Sequence, residues 1–164
     1  MVEDIRAAES SVASRIIKYW LPVAIALGSM YYFSTDIFSG DNTRSFIKDL
    51  LERFMPGVGS ATILKVNYVV RKCAHFVEYA ILAALLYRAW RADSLVNWRL
   101  RWALYSFAMV VGWALIDEYH QTFTRSRGGS IFDVMIDTTG GLFALILIAL
   151  YTNSRRSKKG GASA

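Results

Sequence analysis

The sequence predicts an all-α polytopic membrane protein, with four transmembrane helices and a short amphipathic helix in the first outer loop. Of the 164 residues, 54% are apolar and 14% aromatic, and the mean hydropathy is +0.30. A soluble domain of this size is normally less hydrophobic. The apolar residues form long runs, and the basic residues are spread through the short segments between them. This placement indicates membrane topology and not nucleic-acid binding.

We predict one membrane domain at residues 16–151, preceded by a polar lead-in at 1–15 and followed by a basic tail at 152–164. The lead-in is expected to be disordered or to lie on the surface. The first span, 16–34, has nineteen residues of which only Lys18 is charged. That length is close to the roughly 20 residues that cross a bilayer. A cleaved signal peptide is the alternative, but the lead-in is long and further apolar runs follow.

The polar connector at residues 35–65 contains one segment with helical spacing. Its apolar residues at positions 46, 47, 50, 51 and 54 recur as on one face of a helix. This spacing predicts the amphipathic helix, which ends at the sequence Pro56-Gly57-Val58-Gly59-Ser60. It either lies on the membrane surface or packs on the spans as a solvated loop helix.

The second predicted span, residues 66–87, is polar in its first half only. If Arg88 marks the inner boundary of the hydrocarbon core, a rise of about 1.5 Å per residue puts His75 roughly 20 Å and Glu78 roughly 15 Å from that boundary. Both then lie inside a core of about 30 Å. At about 100° per residue the polar side chains share an arc of roughly 120°, so one face points away from lipid. These side chains are Arg71, Lys72, His75, Glu78 and Tyr79.

The third and fourth spans are predicted around two uncharged runs, Trp102–Ile116 of fifteen residues and Thr138–Tyr151 of fourteen. Each run is shorter than the roughly 20 residues needed, so both helices must extend into the polar stretch between them. Four acidic residues therefore sit at or just inside the membrane boundary, where ionisable groups are costly and are functional candidates. They are Asp117, Glu118, Asp133 and Asp137.

Basic residues set the predicted orientation. The segment 88–101 carries four arginines, and the lead-in and tail are also basic. By the positive-inside rule all three face the cytoplasm, so both termini are inside. The polar ends of the second, third and fourth spans then meet near the outer face. Their carboxylates need cationic partners at membrane depth, for which we expect Arg71, Lys72, Arg125 and Arg127.

The spaced polar residues resemble the VanZ-like family of small bacterial membrane proteins, over roughly residues 65–150. The matching positions are Lys72-x-x-His75-Phe76-x-x-Tyr79, Asp117-Glu118-x-x-Gln121-x-Phe123 and Arg127-x-x-Ser130-x-x-Asp133-x-x-x-Asp137-x-x-Gly140. The chain departs from the pattern at Asp137, where the family more often has asparagine. The resemblance implies a four-helix domain in the bacterial cytoplasmic membrane. It also implies a link to low-level resistance to the lipoglycopeptide teicoplanin, without a settled chemistry.

These positions form a candidate pocket that opens to the outer leaflet. The candidate catalytic residues are Asp117, Glu118 and His75, and the candidate ligand-binding residues are Lys72, Tyr79, Gln121, Arg127, Ser130, Asp133 and Asp137. A buried polar network that only locks the helices together is the alternative. His75 could be a hydrogen-bonded structural histidine of this kind.

Two classes of function remain open from the sequence. In one, the protein binds a membrane lipid, a lipid-linked envelope intermediate or a lipoglycopeptide. In the other, an enzyme performs acid–base chemistry on an anionic envelope lipid. Binding is favoured, because no nucleophile stands in a recognisable motif. A transporter is disfavoured, because the sequence lacks an inverted repeat.

We predict no cofactor and no metal site. A site built from His75, His120, Asp117 and Glu118 is chemically conceivable, but this spacing matches no established motif. The single cysteine, Cys73, excludes an internal disulfide. Oligomeric state is not predicted from the sequence.

Overall fold

The computed structural model describes residues 2–35, 40–96, 98–123 and 129–161, with side chains described within 12–35, 43–96, 98–123 and 129–155. Within these residues the chain forms five helices. They are α1 (Val2–Phe33), α2 (Gly40–Phe54), α3 (Ser60–Arg91), α4 (Leu100–Gln121) and α5 (Ile131–Gly161). The all-α fold class is therefore confirmed.

Three of these helices contain segments long and apolar enough to cross a membrane: Val12–Phe33, Leu100–Gln121 and Ile131–Arg155. They correspond to the first, third and fourth predicted spans. The second predicted span lies in α3, a helix of 32 residues that does not meet the same criterion of length and composition. The charged residues of its first half, Arg71, Lys72 and Glu78, lower the mean hydropathy of the helix. The count of four spans stays a prediction.

The ends of the membrane domain differ from the sequence expectation. Helix α1 begins at Val2, so the described part of the lead-in is helical and continuous with the first span. The lead-in was expected to be disordered or to lie on the surface; the first alternative is wrong for these residues, and the second stays a prediction. Helix α5 likewise extends into the basic tail as far as Gly161. Residues 2–15 and 152–159 contain no glycine or proline, so a helix can continue through them beyond the apolar run, and α5 ends at the glycine pair 160–161.

The connector contains the helix predicted from its spacing, and it is longer than expected. Helix α2 begins at Gly40, and residues after Phe54 form the turn that leads into α3. The helix packs against α3 and buries Ile47, while Phe46 and Phe54 remain exposed. Its position at the membrane surface stays a prediction.

Helix α3 is the centre of the bundle, because it contacts each of the other four helices. Its most extensive partner is α5, and the contacts between them advance along both helices in the same direction. Lys72 pairs with Asp133, and further along Phe76 meets Gly140. The two helices therefore run parallel. The core is formed mainly by α3 and α4 and includes Tyr79, Leu82, Leu86, Trp102, Val110 and Ala114.

Two consecutive glycines allow close helix approaches. A Cβ atom on Gly140 would lie 2.2 Å from the backbone oxygen of Phe76 on α3. One on Gly141 would lie 2.7 Å from a methyl group of Val110 on α4. Consecutive glycines thus face two different helices, and small residues are what such close packing requires. The structure agrees with the close approach expected from this pair.

At the end of the bundle opposite the Lys72–Asp133 pair, Asp93 joins the α3–α4 loop to α1. Lys18 Nζ lies 3.1 Å and Arg15 Nε 3.2 Å from its carboxylate, and the Tyr19 hydroxyl donates a hydrogen bond to it. The hydrogen bonds from Tyr19 and Lys18 lower the pKa of Asp93 below its ordinary value, so it is ionised at neutral pH. The basic α3–α4 loop and residues 15–19 consequently lie at the same end.

Candidate functional site

A cavity of about 280 Å³ lies beside the polar half of α3. Helix α3 supplies one wall, α1 and the residue after it supply a second, and α2 and α4 contribute one residue each. Three of the ten candidate site residues line the cavity: His75, Tyr79 and Asp117. The remaining lining residues are Met30, Phe33, Ser34, Thr43, Val70, Arg71, Ala74 and Glu78.

The cavity wall borders a cluster of three side chains of types that can ligate a metal, two of them buried and one partly buried. His75 Nδ1 is 3.3 Å from Asp137 Oδ1, and Asp137 is fully buried. One potential ligand atom from each of His75, Asp117 and Asp137 lies within 4.8 Å of the others. Gln121 Nε2 donates a hydrogen bond of 2.9 Å to Asp117 Oδ2 one turn along α4. Three helices therefore contribute to one polar centre, as the sequence analysis expected.

Asp133 forms an ion pair with Lys72, and both side chains are only about one-fifth exposed. Lys72 also lies over the Tyr68 ring, 5.2 Å from its centroid. Lys72 is one of the cationic residues expected to pair with the carboxylates, and the structure identifies Asp133 as its partner. Arg127, another expected partner and ligand-binding residue, lies outside the described residues, as does Arg125.

Exchanging this pair tests its coupling. Lys72→Asp or Asp133→Lys alone leaves two like charges close together at partial burial, so we expect each to lower the melting temperature by several degrees. The double variant restores opposite charges and should recover part of this loss, with a coupling free energy of about 1 kcal/mol or more. Thermal melts in detergent would measure it. Additive losses in the double variant would show that the pair does not hold α3 to α5.

Glu118 and Ser130 meet away from the cavity. The backbone N–H of Ser130 donates a hydrogen bond of 2.6 Å to Glu118 Oε2, just before α5 begins. A Cβ on Gly129 would lie 2.8 Å from the Glu118 carbonyl oxygen, so the chain passes tightly over the end of α4. This geometry gives Glu118 a role in holding the start of α5. Its predicted catalytic role is untested, and among described residues its side chain does not line the cavity.

Tyr79 is fully buried, and its hydroxyl has no hydrogen-bond partner among the described residues. Asp137 Oδ2 accepts no hydrogen bond there either. Buried polar atoms without partners are rare in proteins and need an explanation. Both residues sit at the polar centre, so this site has unmet hydrogen-bonding capacity on two of its fully buried side chains.

His120 is separate from the polar centre. Its ring lies 4.9 Å from the Tyr31 ring between centroids, which ties α4 to α1. The metal set considered from the sequence therefore does not form as a group. Within the described residues, the cluster instead joins His75 and Asp117 to Asp137.

The α1 and α2 contributions to the site were not found by sequence reasoning. Met30, Phe33 and Ser34 look like the end of an ordinary span, and Thr43 looks like a solvated connector residue. The one available signal was Ser34, a polar residue directly after three aromatic ones. Ser34 is buried in the structure, and no described residue bonds its hydroxyl.

Residues 19–152 match the family model described as VanZ/LLP1, which covers well over half of the chain. No curated protein and no solved structure matches significantly. The match includes every candidate site residue, and it confirms the resemblance drawn from the spaced polar motifs. The chain belongs to the VanZ/LLP1 family.

Proposed function

We propose that the cavity binds the polar head group of an amphipathic envelope lipid or lipid-linked intermediate. The carrying observation is that one cavity combines an apolar wall from α1 with charged residues of α3 and α4. A lipid offers the same combination of apolar chain and polar head within a few ångströms. Ligand pockets are commonly apolar with a few convergent polar groups.

The apolar wall suits an acyl or prenyl chain. Met30 and Phe33 form the α1 side, and Val70 and Ala74 form the α3 side. Phe33 is 41% exposed and Val70 46% exposed, so this wall continues onto the outer surface of the bundle. A lipid chain can therefore extend from the cavity along the helices into the bilayer without leaving apolar surroundings.

The polar wall carries both signs of charge. Arg71 can bind a phosphate with paired N–H donors, while Glu78 and Asp117 can accept hydrogen bonds from ammonium or hydroxyl groups. A head group with a phosphate and an amine or sugar satisfies both sets. We therefore favour a zwitterionic or glycosylated head group over a purely anionic one.

The arrangement in the membrane is part of this proposal. Helix α3 runs parallel to α5 and packs along it, so a bilayer crossed by α5 also surrounds α3. Four spans then place residues 15–19 and the α3–α4 loop on the cytoplasmic side, where their basic residues belong. The cavity opens at the outer leaflet of the bacterial cytoplasmic membrane, and both termini are cytoplasmic.

Cysteine labelling in intact cells tests this orientation. In a Cys73→Ser background, Ser94→Cys and Ser163→Cys should resist a membrane-impermeant thiol reagent, whereas Ser39→Cys should react. Permeabilised cells provide the control, since all three positions should then be open to the reagent. Labelling at position 94 without labelling at position 39 would reverse the orientation and move the cavity to the inner leaflet.

Catalysis on the bound lipid is the second candidate, and one observation favours it. His75 lines the cavity while its Nδ1 faces the buried Asp137, an arrangement in which a carboxylate orients a histidine that moves protons. His75→Gln keeps hydrogen bonding but removes titration. A binding protein should retain lipid and cellular function in this variant, while an enzyme should retain lipid and lose function.

Thermal stabilisation by added lipid tests the binding proposal. A ligand that binds only the folded state raises stability as its concentration exceeds the dissociation constant. Short-chain phosphatidylethanolamine should raise the melting temperature by several degrees, and phosphatidylglycerol with the same chains should raise it less. Arg71→Gln should reduce the shift. Equal shifts from both lipids, unchanged in Arg71→Gln, would argue against head-group recognition.

A further inference from the structure

We propose that His75, Asp117 and Asp137 form a binding site for one first-row divalent metal ion, such as Zn²⁺ or Mn²⁺. The site lies at the inner wall of the cavity, where α3, α4 and α5 meet. The metal site does not depend on lipid binding in the cavity, because its three ligands belong to the protein.

The three side chains already have the required proximity. A nitrogen or oxygen from each lies within 4.8 Å of the other two. Ligand atoms about 2.1 Å from a tetrahedral ion are about 3.4 Å apart, so small side-chain rotations would close the site. One pair, His75 Nδ1 and Asp137 Oδ1, is at 3.3 Å and already has this spacing.

Unmet polar atoms point independently to a bound group. Asp137 is fully buried; its Oδ1 faces His75 Nδ1 at 3.3 Å, and its Oδ2 accepts no hydrogen bond from a described residue. Tyr79, also fully buried, lines the cavity beside His75 and Asp117, and its hydroxyl lacks a partner among the described residues. A metal ion would occupy the lone pairs of Asp137, and a water on that ion would accept the Tyr79 hydrogen bond.

Charge balance favours an ion of charge +2. Asp117 and Asp137 are both buried carboxylates, and the only ion pair of Asp137 among described residues is with His75. A divalent cation would place positive charge beside both carboxylates, which matters because an uncompensated charge is costly in a low-dielectric site.

The ligand types select the class of ion. Imidazole suits zinc and other first-row metals, whereas carboxylates alone suit Mg²⁺ and Ca²⁺. A set of one imidazole and two carboxylates therefore favours Zn²⁺ or Mn²⁺ over Mg²⁺ or Ca²⁺. Gln121 holds Asp117 through its 2.9 Å hydrogen bond and acts as a positioning residue behind a ligand.

Metal content of the purified full chain tests the site. The protein would be stripped with a chelator, dialysed against ZnCl₂ or MnCl₂ with excess MgCl₂, and measured by mass spectrometry of the metal. We expect about one bound ion per chain. His75→Gln and Asp137→Asn should weaken binding at least a hundredfold, and Gln121→Leu about tenfold to a hundredfold. Asp137→Asn nearly preserves shape, so it tests the charge even if larger changes prevent folding.

Two matched controls locate the ion. His120→Gln removes the other histidine, and Glu52→Gln removes an exposed acidic residue of α2 that pairs with Lys48 instead. Both should bind metal as the wild type does. The proposal is overturned if the wild-type chain binds far less than one ion, or if His75→Gln binds as tightly as the wild type. Loss of metal binding in the single variant His120→Gln would also overturn the proposal. Val70→Trp, which fills the cavity mouth, should keep the ion and thereby separates metal binding from lipid binding.

Discussion

Replacing Gly140 with leucine is expected to abolish accumulation of the folded protein. A Cβ at this position would lie 2.2 Å from the Phe76 carbonyl oxygen, where anything closer than 3.0 Å essentially never occurs. The obstacle is backbone in the middle of α3, so no side-chain rotation relieves it. Separating α3 from α5 would also break the contacts of Lys72 with Asp133 and of His75 with Asp137. Overpacking of this severity should cost at least about 3 kcal/mol.

Gly112→Leu is the matched control, because a Cβ on Gly112 meets no atom within 4 Å. It changes the same residue type in a neighbouring span without a clash. We expect wild-type accumulation and a melting temperature within a few degrees, measured by fluorescence-detected size exclusion and thermal melts. Similar behaviour of the two variants would contradict the close α3–α5 packing.

Val70→Trp is expected to remove most of the bound lipid while the protein stays folded. Val70 lines the cavity on α3 and is 46% exposed, so an indole can enter the cavity of about 280 Å³ without displacing core residues. It would occupy the apolar wall opposite Met30 and Phe33, where the proposed chain lies. We expect at least a tenfold loss of lipid retained through purification, measured by mass spectrometry.

Val69→Trp makes the comparison specific. Val69 precedes Val70 on the same helix and is 56% exposed, yet it does not line the cavity. The two variants add the same side chain at nearly the same depth, so general effects on insertion or detergent binding should match. Equal lipid loss in both variants would place the bound lipid on the helix surface and not in the cavity.

The helices and the polar centre were predictable from the sequence because each depends on local patterns. Apolar runs set the helices, and one turn of spacing put Asp117 beside Gln121 and Asp133 near Asp137. The paired glycines predicted close helix packing. Helical spacing also predicted α2, although not its start at Gly40.

Partner choice was not predictable, because it depends on how helices rotate against one another. Four cationic residues were possible partners of the carboxylates in the sequence. The packing of α3 on α5 determines that Asp133 pairs with Lys72 and Asp137 with His75. Glu118 of α4 accepts a hydrogen bond from the Ser130 backbone and does not line the cavity. Its polar character was visible in the sequence, but its partner was not.

The contribution of α1 to the cavity could not be predicted from the sequence for a related reason. Apolar residues of a span look alike in sequence whether they face lipid, a core or a cavity. Met30 is buried and Phe33 is 41% exposed, and both line the same cavity. Only the placement of α1 beside α3 distinguishes them from residues such as Ile25, which is 60% exposed.

Lipid analysis of the purified protein tests the central claim most directly. The wild-type chain and Val70→Trp would be purified in the same mild detergent, and their organic extracts compared by mass spectrometry with the total membrane lipid. We predict one lipid class carrying a phosphate and an amine or sugar, enriched over its membrane abundance at about one per wild-type chain and depleted in Val70→Trp. An extract with the composition of the bulk membrane, identical for the two proteins, would contradict a lipid site in this cavity.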